Sequence, residues 1–364
     1  MEYNLGIEQG KPRKTSATVK VVAGVAIVGS ILTGVLFFMH GKDSFLAVRF
    51  SAHTLLPISV NMSEPVKAMD VVVEEPVVPT LPIPVIVDTL TLPEDITAQA
   101  IMVKDVKTGA SLYTKDEYTV RSMASITKLM TALVLLEHGI DWEQHIAVTT
   151  APVLDTHMYA GDVYTAKELW ESMLIASSNK AAYTLAESTG WGVDAFVSRM
   201  NDRAMELGMG YTRFTDPTGL GSTNVSTAAD ISLLLEEALR FDKIVSGLHK
   251  KEIELYSDQK DATHKAWNTN WLLLGWIPHE ISTFVGGKTG YITESGYNFT
   301  MQLGDKEDNM IHVVVLGAES HEARFTEARD IAKAVFAAYE WPNTQTALGV
   351  AGEVPKKQAY QDTI

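Results

Sequence analysis

The chain has 364 residues, enough for one large domain or two ordinary ones, and at 46% hydrophobic residues it can bury a sizeable core. A formal net charge of -15 argues against a basic face for nucleic acid or anionic lipid. With no cysteine there is no disulfide, thiolate metal site or cysteine nucleophile, which suits an oxidising compartment.

In chain order, the first element is an uncharged run of 19 residues from Val21 to Met39. At about 1.5 Å per residue it matches a bilayer core. Lys11, Arg13, Lys14 and Lys20 precede it, which favours a cytoplasmic N-terminus. A cleaved signal peptide is the competing reading, but it needs a shorter apolar stretch and a small-x-small site, and "HGKDSFLAVRF" offers none. The expectation is a cytoplasmic segment 1–20, a single-pass membrane anchor 21–39 and an extracytoplasmic remainder. Seven of the thirteen prolines then fall between Pro57 and Pro93. Proline at this density blocks helix and central strand, so residues 40–93 read as a semi-rigid spacer.

From Ile96 the texture becomes globular, and residues 94–340 are expected to form one domain. "ITAQAIMVKDVKTGASLYTKD" alternates and turns like a hairpin. "SITKLMTALVLLEHG" reads as an apolar helix stopped by Gly139. Helices are expected at about 166–176, 180–188 and 193–207. Another opens in "STAADISLLLEEALRF", with Ser226 as N-cap. "GYNFTMQL" and "MIHVVVLG" read as strands, "ARFTEARDIAKAVFAAY" as the last helix, and 341–364 as a tail without amphipathic period. Strands at both ends and helices between predict an α/β (α+β) architecture. The first and last strands share one antiparallel sheet flanked by helices, with a helical lobe beside it.

Neither H-E-x-x-H nor G-x-S-x-G occurs, and the histidines are scattered, so neither a zincin nor an α/β-hydrolase is indicated. What remains is serine with lysine. A serine hydroxyl needs a base, and a neutral lysine three residues on along a helix lies on the same face. The S-x-x-K spacing occurs at Ser125/Lys128, Ser177/Lys180 and Ser257/Lys260, and S-x-N at Ser59, Ser177 and Ser222. Context sorts them. Ser125 opens the apolar helix, Ser257 sits in a polar stretch expected to be solvated, and Ser59 lies in the spacer. Ser177-Ser178-Asn179 joins two helices, while Ser222-Thr223-Asn224 reads as turn and capping chemistry. Lys-Thr-Gly occurs twice. Lys107-Thr108-Gly109 lies in the first hairpin and reads as a turn, whereas Lys288-Thr289-Gly290 edges a strand where glycines admit a substrate backbone.

The ordered set Ser125-Ile-Thr-Lys128, Ser177-Ser-Asn179 and Lys288-Thr-Gly290 resembles the penicillin-recognising serine enzymes. With its flanks ("RSMASITKLMTALV", "MLIASSNKAAYTLAE", "NTNWLL", "GGKTGYITESGYN"), residues 96–340 resemble the low-molecular-mass penicillin-binding proteins of the D-alanyl-D-alanine carboxypeptidase family. The resemblance implies a β-lactamase/transpeptidase-like fold. It implies a serine D,D-peptidase acting on peptidoglycan stem peptides ending in D-Ala-D-Ala, inhibited by β-lactams, with neither metal nor cofactor. Ser125 would be the nucleophile and Lys128 its base. Ser177 and Asn179 would relay a proton and position the peptide. Lys288, staying charged, would hold the substrate carboxylate with Thr289, beside Gly290. The backbone N–H groups of Ser125 and Tyr291 would form the oxyanion hole. Arg324 is a weaker candidate for the carboxylate, its alternative being a surface role.

Half-neutrality of Lys128 near pH 7 requires a shift of about 3 units, or about 4 kcal/mol. A Lys288 ammonium at about 6 Å would supply near 3 kcal/mol at an effective dielectric of about 20, with burial adding the rest. Lys180 departs from the acid that many relatives carry there. Carboxypeptidase action leads. D,D-endopeptidase action on crosslinks is the alternative, ahead of a β-lactamase, for which no E-x-x-L-N loop is present, or a non-catalytic wall-binding module.

Overall fold

The computed structural model describes residues 81–155 and 158–342. The expected cytoplasmic segment, membrane anchor, most of the spacer and most of the tail lie outside these residues. Among the described residues no helix is long and apolar enough to cross a membrane.

The chain enters through β1 (Val85–Ile86), then forms the hairpin β2 (Ala100–Asp105) and β3 (Ser111–Lys115) and the short β4 (Arg121–Ser122). A single 3-10 turn, Ala124–Ile126, leads into α1 (Thr127–His138), followed by β5 (His145–Ala147) and β6 (Val163–Thr165). The helical lobe continues with α2 (Ala166–Ile175), α3 (Asn179–Ser188) and α4 (Val193–Glu206). After β7 (Val225–Ser226) come α5 (Ala228–Ala238), α6 (Asp242–His249), the hairpin β8 (Glu252–Ser257) and β9 (Ala262–Trp267), and α7 (Trp271–Leu274). The strands β10 (Thr283–Ile292), β11 (Gly296–Gly304) and β12 (Met310–Ala318) precede α8 (Ala323–Ala338) and β13 (Tyr339–Glu340).

The main sheet has the order β10-β11-β12-β2-β3 and is antiparallel throughout, so the first hairpin pairs with the last long strand. Strand alternation sends Val313 and Val315 with Ile101 and Val103 toward α8, where they meet Phe325, Ile331 and Val335. Val314 and Leu316 face the other way, with Ala100, into the larger core of the helical lobe. A sheet buried on both faces explains why β12 is apolar at consecutive positions rather than at alternate ones.

Three local expectations are corrected. Thr227, not Ser226, caps α5: its hydroxyl accepts from the Asp230 N–H at 3.0 Å. Ser226 is held in β7 opposite Arg121, its hydroxyl 2.7 Å from that of Thr212. The stretch around Ser257 is largely exposed, as expected, but it forms a β-hairpin whose Ile253, Leu255 and Ser257 face inward, so Ser257 itself is buried. Finally, the end of the expected spacer is docked. Val85 and Ile86 pair with Glu340 and Tyr339, and the Val87 N–H donates to the Ala338 carbonyl at 2.8 Å.

Candidate active site

The turn that carries Ser125 is shaped by its neighbours. Ala124 has φ +49°, a left-handed value that costs a non-glycine residue about 1 kcal/mol or more. Gly219, at φ +81°, lies so close that a Cβ there would sit 2.0 Å from the Ala124 carbonyl oxygen. The 216–221 loop can therefore cross the turn only as glycine. Asp216 ties that loop down, accepting from the N–H groups of Thr218, Gly219 and Gly221 at 2.7, 2.8 and 3.0 Å and from the Thr218 hydroxyl. Burial pushes the Asp216 carboxyl up, but these hydrogen bonds win and hold it below its ordinary 3.8.

One helical turn beyond Ser125, Lys128 is fully buried at 0% exposure. Its Nζ lies 2.8 Å from Ser125 Oγ, 2.7 Å from Asn179 Oδ1 and 2.6 Å from the Thr218 carbonyl oxygen. Burial lowers its pKa from 10.5 to about 7, with Asp155 and Asp216 pulling the other way. The direction is the one expected from sequence, but the cause differs. Desolvation does the work, and the nearest named charges oppose it rather than assist.

The second motif sits on the loop between α2 and α3. Ser177 has φ +59°, the second strained non-glycine residue at the site. Ser178 caps α3: its hydroxyl accepts from the Ala181 N–H at 3.0 Å and donates to Asp155 Oδ2 at 2.7 Å. The Lys180 N–H also donates to Asp155, and Asn179 Nδ2 donates to the Leu154 carbonyl. The segment around Asp155 thereby fixes the loop that presents Ser177 and Asn179.

The third motif lies on β10. Lys288, 1% exposed, donates to Ser177 Oγ at 2.8 Å and to the Thr289 carbonyl at 3.1 Å. Lys288 was expected to stay charged. Its pKa is instead driven well below 10.5 by burial, then by the neighbouring charges of Lys128 and Arg324. No carboxylate touches it among the described residues, so the free site lacks its counter-charge. Thr289 shares a 2.6 Å hydroxyl contact with Thr269. At Gly290 a Cβ would lie 2.7 Å from the Met123 carbonyl oxygen and 3.2 Å from Ser125 N, so glycine is what lets β10 lie against the Ser125 turn. Tyr291 follows, exposed and stacked on Tyr297 at 4.3 Å.

Ser125, Lys128, Ser177, Asn179, Lys288, Thr289, Gly290 and Tyr291 thus converge from three separated segments. The surface role allowed for Arg324 is overturned: it is 3% exposed and donates to the Gly290 carbonyl at 3.3 Å, and burial lowers its pKa to about 10. Lys107-Thr108-Gly109 is a turn at the opposite edge of the sheet from β10. The Thr108 N–H donates to Asp105, and Gly109 has φ +72°. The sequence reading missed Asp155, Asp216, Gly219 and Thr269, which act through loop geometry.

The family model for D-alanyl-D-alanine carboxypeptidase matches residues 87–320. A D-alanyl-D-alanine endopeptidase of Haemophilus influenzae is 30% identical over 273 residues, covering 73% of this chain and 90% of the relative. The carboxypeptidase DacF of Bacillus subtilis is 29% identical over 259 residues, covering 67% and 63%. Among solved structures, the Streptomyces K15 DD-transpeptidase superposes with a TM-score of 0.61 at 26% identity, covering 68% of this chain and 99% of that one. Penicillin-binding protein D2 of Listeria monocytogenes, in its ampicillin-bound form, gives 0.58 at 27% identity, covering 68% and 100%. The fold is therefore the penicillin-binding, β-lactamase-like one, and the chain belongs to the D-alanyl-D-alanine carboxypeptidase family of serine peptidases.

Proposed function

We propose that the chain removes the terminal D-alanine from peptidoglycan stem peptides through an acyl-enzyme on Ser125. The observation that carries this is the environment of the Lys128 amine. A neutral amine has two hydrogens and one lone pair. Asn179 Oδ1 and the Thr218 carbonyl accept the two hydrogens, which leaves the lone pair for the Ser125 hydroxyl. With a pKa near 7 the amine is half neutral at physiological pH and can take the serine proton.

The substrate's terminal carboxylate supplies what Lys288 lacks. On arrival it stabilises the Lys288 ammonium, with Thr289 and Arg324 beside it, and the ammonium in turn favours the neutral form of Lys128. Ser125 Oγ attacks the penultimate carbonyl carbon while the N–H groups of Ser125 and Tyr291 receive the oxyanion. The C–N bond then breaks, and the serine proton passes by way of Lys128 and Ser177 to the leaving amine. Water hydrolyses the ester and restores Ser125.

Fluorescent penicillin tests the nucleophile. The wild-type band should be strong and persistent and Ser125→Ala unlabelled; equal labelling of both would refute the assignment. Rapid turnover of a chromogenic cephalosporin would point instead to a β-lactamase. The endopeptidase name of the Haemophilus relative favours a second reading, cleavage of crosslinks. Mass spectrometry of muropeptides separates the two, since carboxypeptidase action removes one alanine and endopeptidase action turns dimers into monomers. The Val21–Met39 run and the proline-rich stretch support an extracytoplasmic enzyme tethered by its N-terminus. Recovery of the full chain from the soluble fraction without detergent would remove that tether.

A further inference from the structure

Arg324 lies in the first turn of α8, and its hydrogen-bond partners are neutral. Nη1 donates to the Gly290 carbonyl, and Nη2 lies 2.7 Å from Nε2 of His321, two residues ahead of α8. A guanidinium has donors and no acceptor, so His321 Nε2 must supply the lone pair. That fixes the tautomer, with the imidazole hydrogen on Nδ1. Both His321 Nδ1 and Arg324 Nε are buried without a partner. Two buried donors left unpaired are costly, so stability alone does not account for this pair. The imidazole packs against Trp271, with ring centroids 4.1 Å apart, and against Tyr297 at 5.9 Å. Burial and the Arg324 charge lower its pKa to about 4, so it is neutral at physiological pH.

A carboxylate would be the ordinary residue beside Arg324. It would form an ion pair and would suit the positive end of α8. It would also cancel the charge that an arriving carboxylate needs. Glu319 and Glu322, close to His321 in sequence, are exposed, and neither pairs with Arg324. We infer that His321 is a positioning residue for recognition of the free peptide terminus. Its Nε2 holds the Arg324 guanidinium in place as an uncharged acceptor, which leaves the full charge for the substrate. The inference rests on the acyl-enzyme reading above, in which the terminal carboxylate meets Lys288, Thr289 and Arg324.

The test compares His321→Gln with His321→Glu in the full-length protein. The two side chains have the same shape, and both offer an oxygen to Arg324, but only glutamate brings a charge. The substrates are a peptide ending in D-Ala-D-Ala and the same peptide with its terminal carboxylate amidated. Release of D-alanine or its amide gives kcat and KM for each. His321→Gln should keep the preference for the free acid within about threefold of the wild type. His321→Glu should reduce it by about tenfold or more, through a higher KM for the acid with kcat little changed. Should His321→Glu fold poorly, His321→Leu, which removes the acceptor, should lower the same preference by about fivefold. Equal behaviour of the Gln and Glu variants, or a loss that falls equally on acid and amide, overturns the role of His321. If the wild type takes penicillin and cleaves the acid peptide while the variants keep its preference, only His321 is misassigned. If the wild type neither takes penicillin nor cleaves the acid peptide, the acyl-enzyme reading fails with it.

Discussion

Lys128 and Lys288 divide between them what the reaction asks of two amines, and their surroundings differ in sign. Lys128 has Asp155 and Asp216 near enough to raise its pKa, whereas Lys288 has Lys128 and Arg324 to lower it further. Since only neutral Lys128 can accept the serine proton, acylation should rise about tenfold per pH unit below 7 and level off above it. Stopped-flow acylation by penicillin across pH 5–9 measures this, and a flat profile would contradict the base assignment. The same shift acts on stability. Between about 7 and 10.5 the unfolded chain holds a proton on Lys128 that the folded chain has lost. The cost of the buried amine is therefore complete below pH 7 and recedes as pH rises across that window. Lys128→Met should shrink the gain in melting temperature between pH 7 and pH 9. Replacing the two Lys-Thr-Gly lysines provides a further check: Lys288→Ala should cut peptide hydrolysis by about 100-fold or more, and Lys107→Ala should leave it nearly intact.

At the scale of elements, the site depends on loops that pass at backbone contact. Gly219→Ala would place a methyl group into the Ala124 carbonyl and force a residue with φ +81°. It should destabilise the protein by on the order of 2–4 kcal/mol and slow penicillin acylation by about 100-fold, read from a melting curve and a labelling time course. Normal stability with normal acylation would mean that the 216–221 loop does not shape the Ser125 turn. This scale also separates what the amino-acid pattern revealed from what it hid. α1 was legible because its apolar residues recur at helical spacing, and β12 because its apolar run is bounded by turns. The three motifs were legible because each places a reactive side chain a fixed short distance along one element. The β8–β9 hairpin was hidden because one of its inward positions is Ser257, so the alternation of burial is not an alternation of polarity. Asp155 and Asp216 were hidden because they act across loops, where sequence separation says nothing about proximity. Ser226 and Thr227 are both capping residues, and only the pairing of Ser226 with Arg121 decides between them.

For the whole molecule, the pairing of β2 with β12 and of β1 with β13 ties the two ends of the domain together, and one buried carboxylate adds to it. Glu327 on α8, 7% exposed, accepts from the Thr97 N–H at 3.0 Å and the Ala98 N–H at 2.9 Å, just ahead of β2. Glu327→Ala would leave these two N–H groups without their acceptor and should cost about 3 kcal/mol of stability, measured by chemical denaturation. A change within 0.5 kcal/mol would show the junction to be held by the sheet alone.

The strand order carries a consequence for how the protein comes into being. β2 lies between β3 and β12, and Ile101 finds Val315 only after about 200 further residues have been made. Ser125 emerges from the ribosome early and the strand bearing Lys288 late, so a nascent chain carries its nucleophile long before the crevice that arms it. Until β10 and β12 have been made and paired, Ser125 lacks both Lys288 and the completed sheet that holds it.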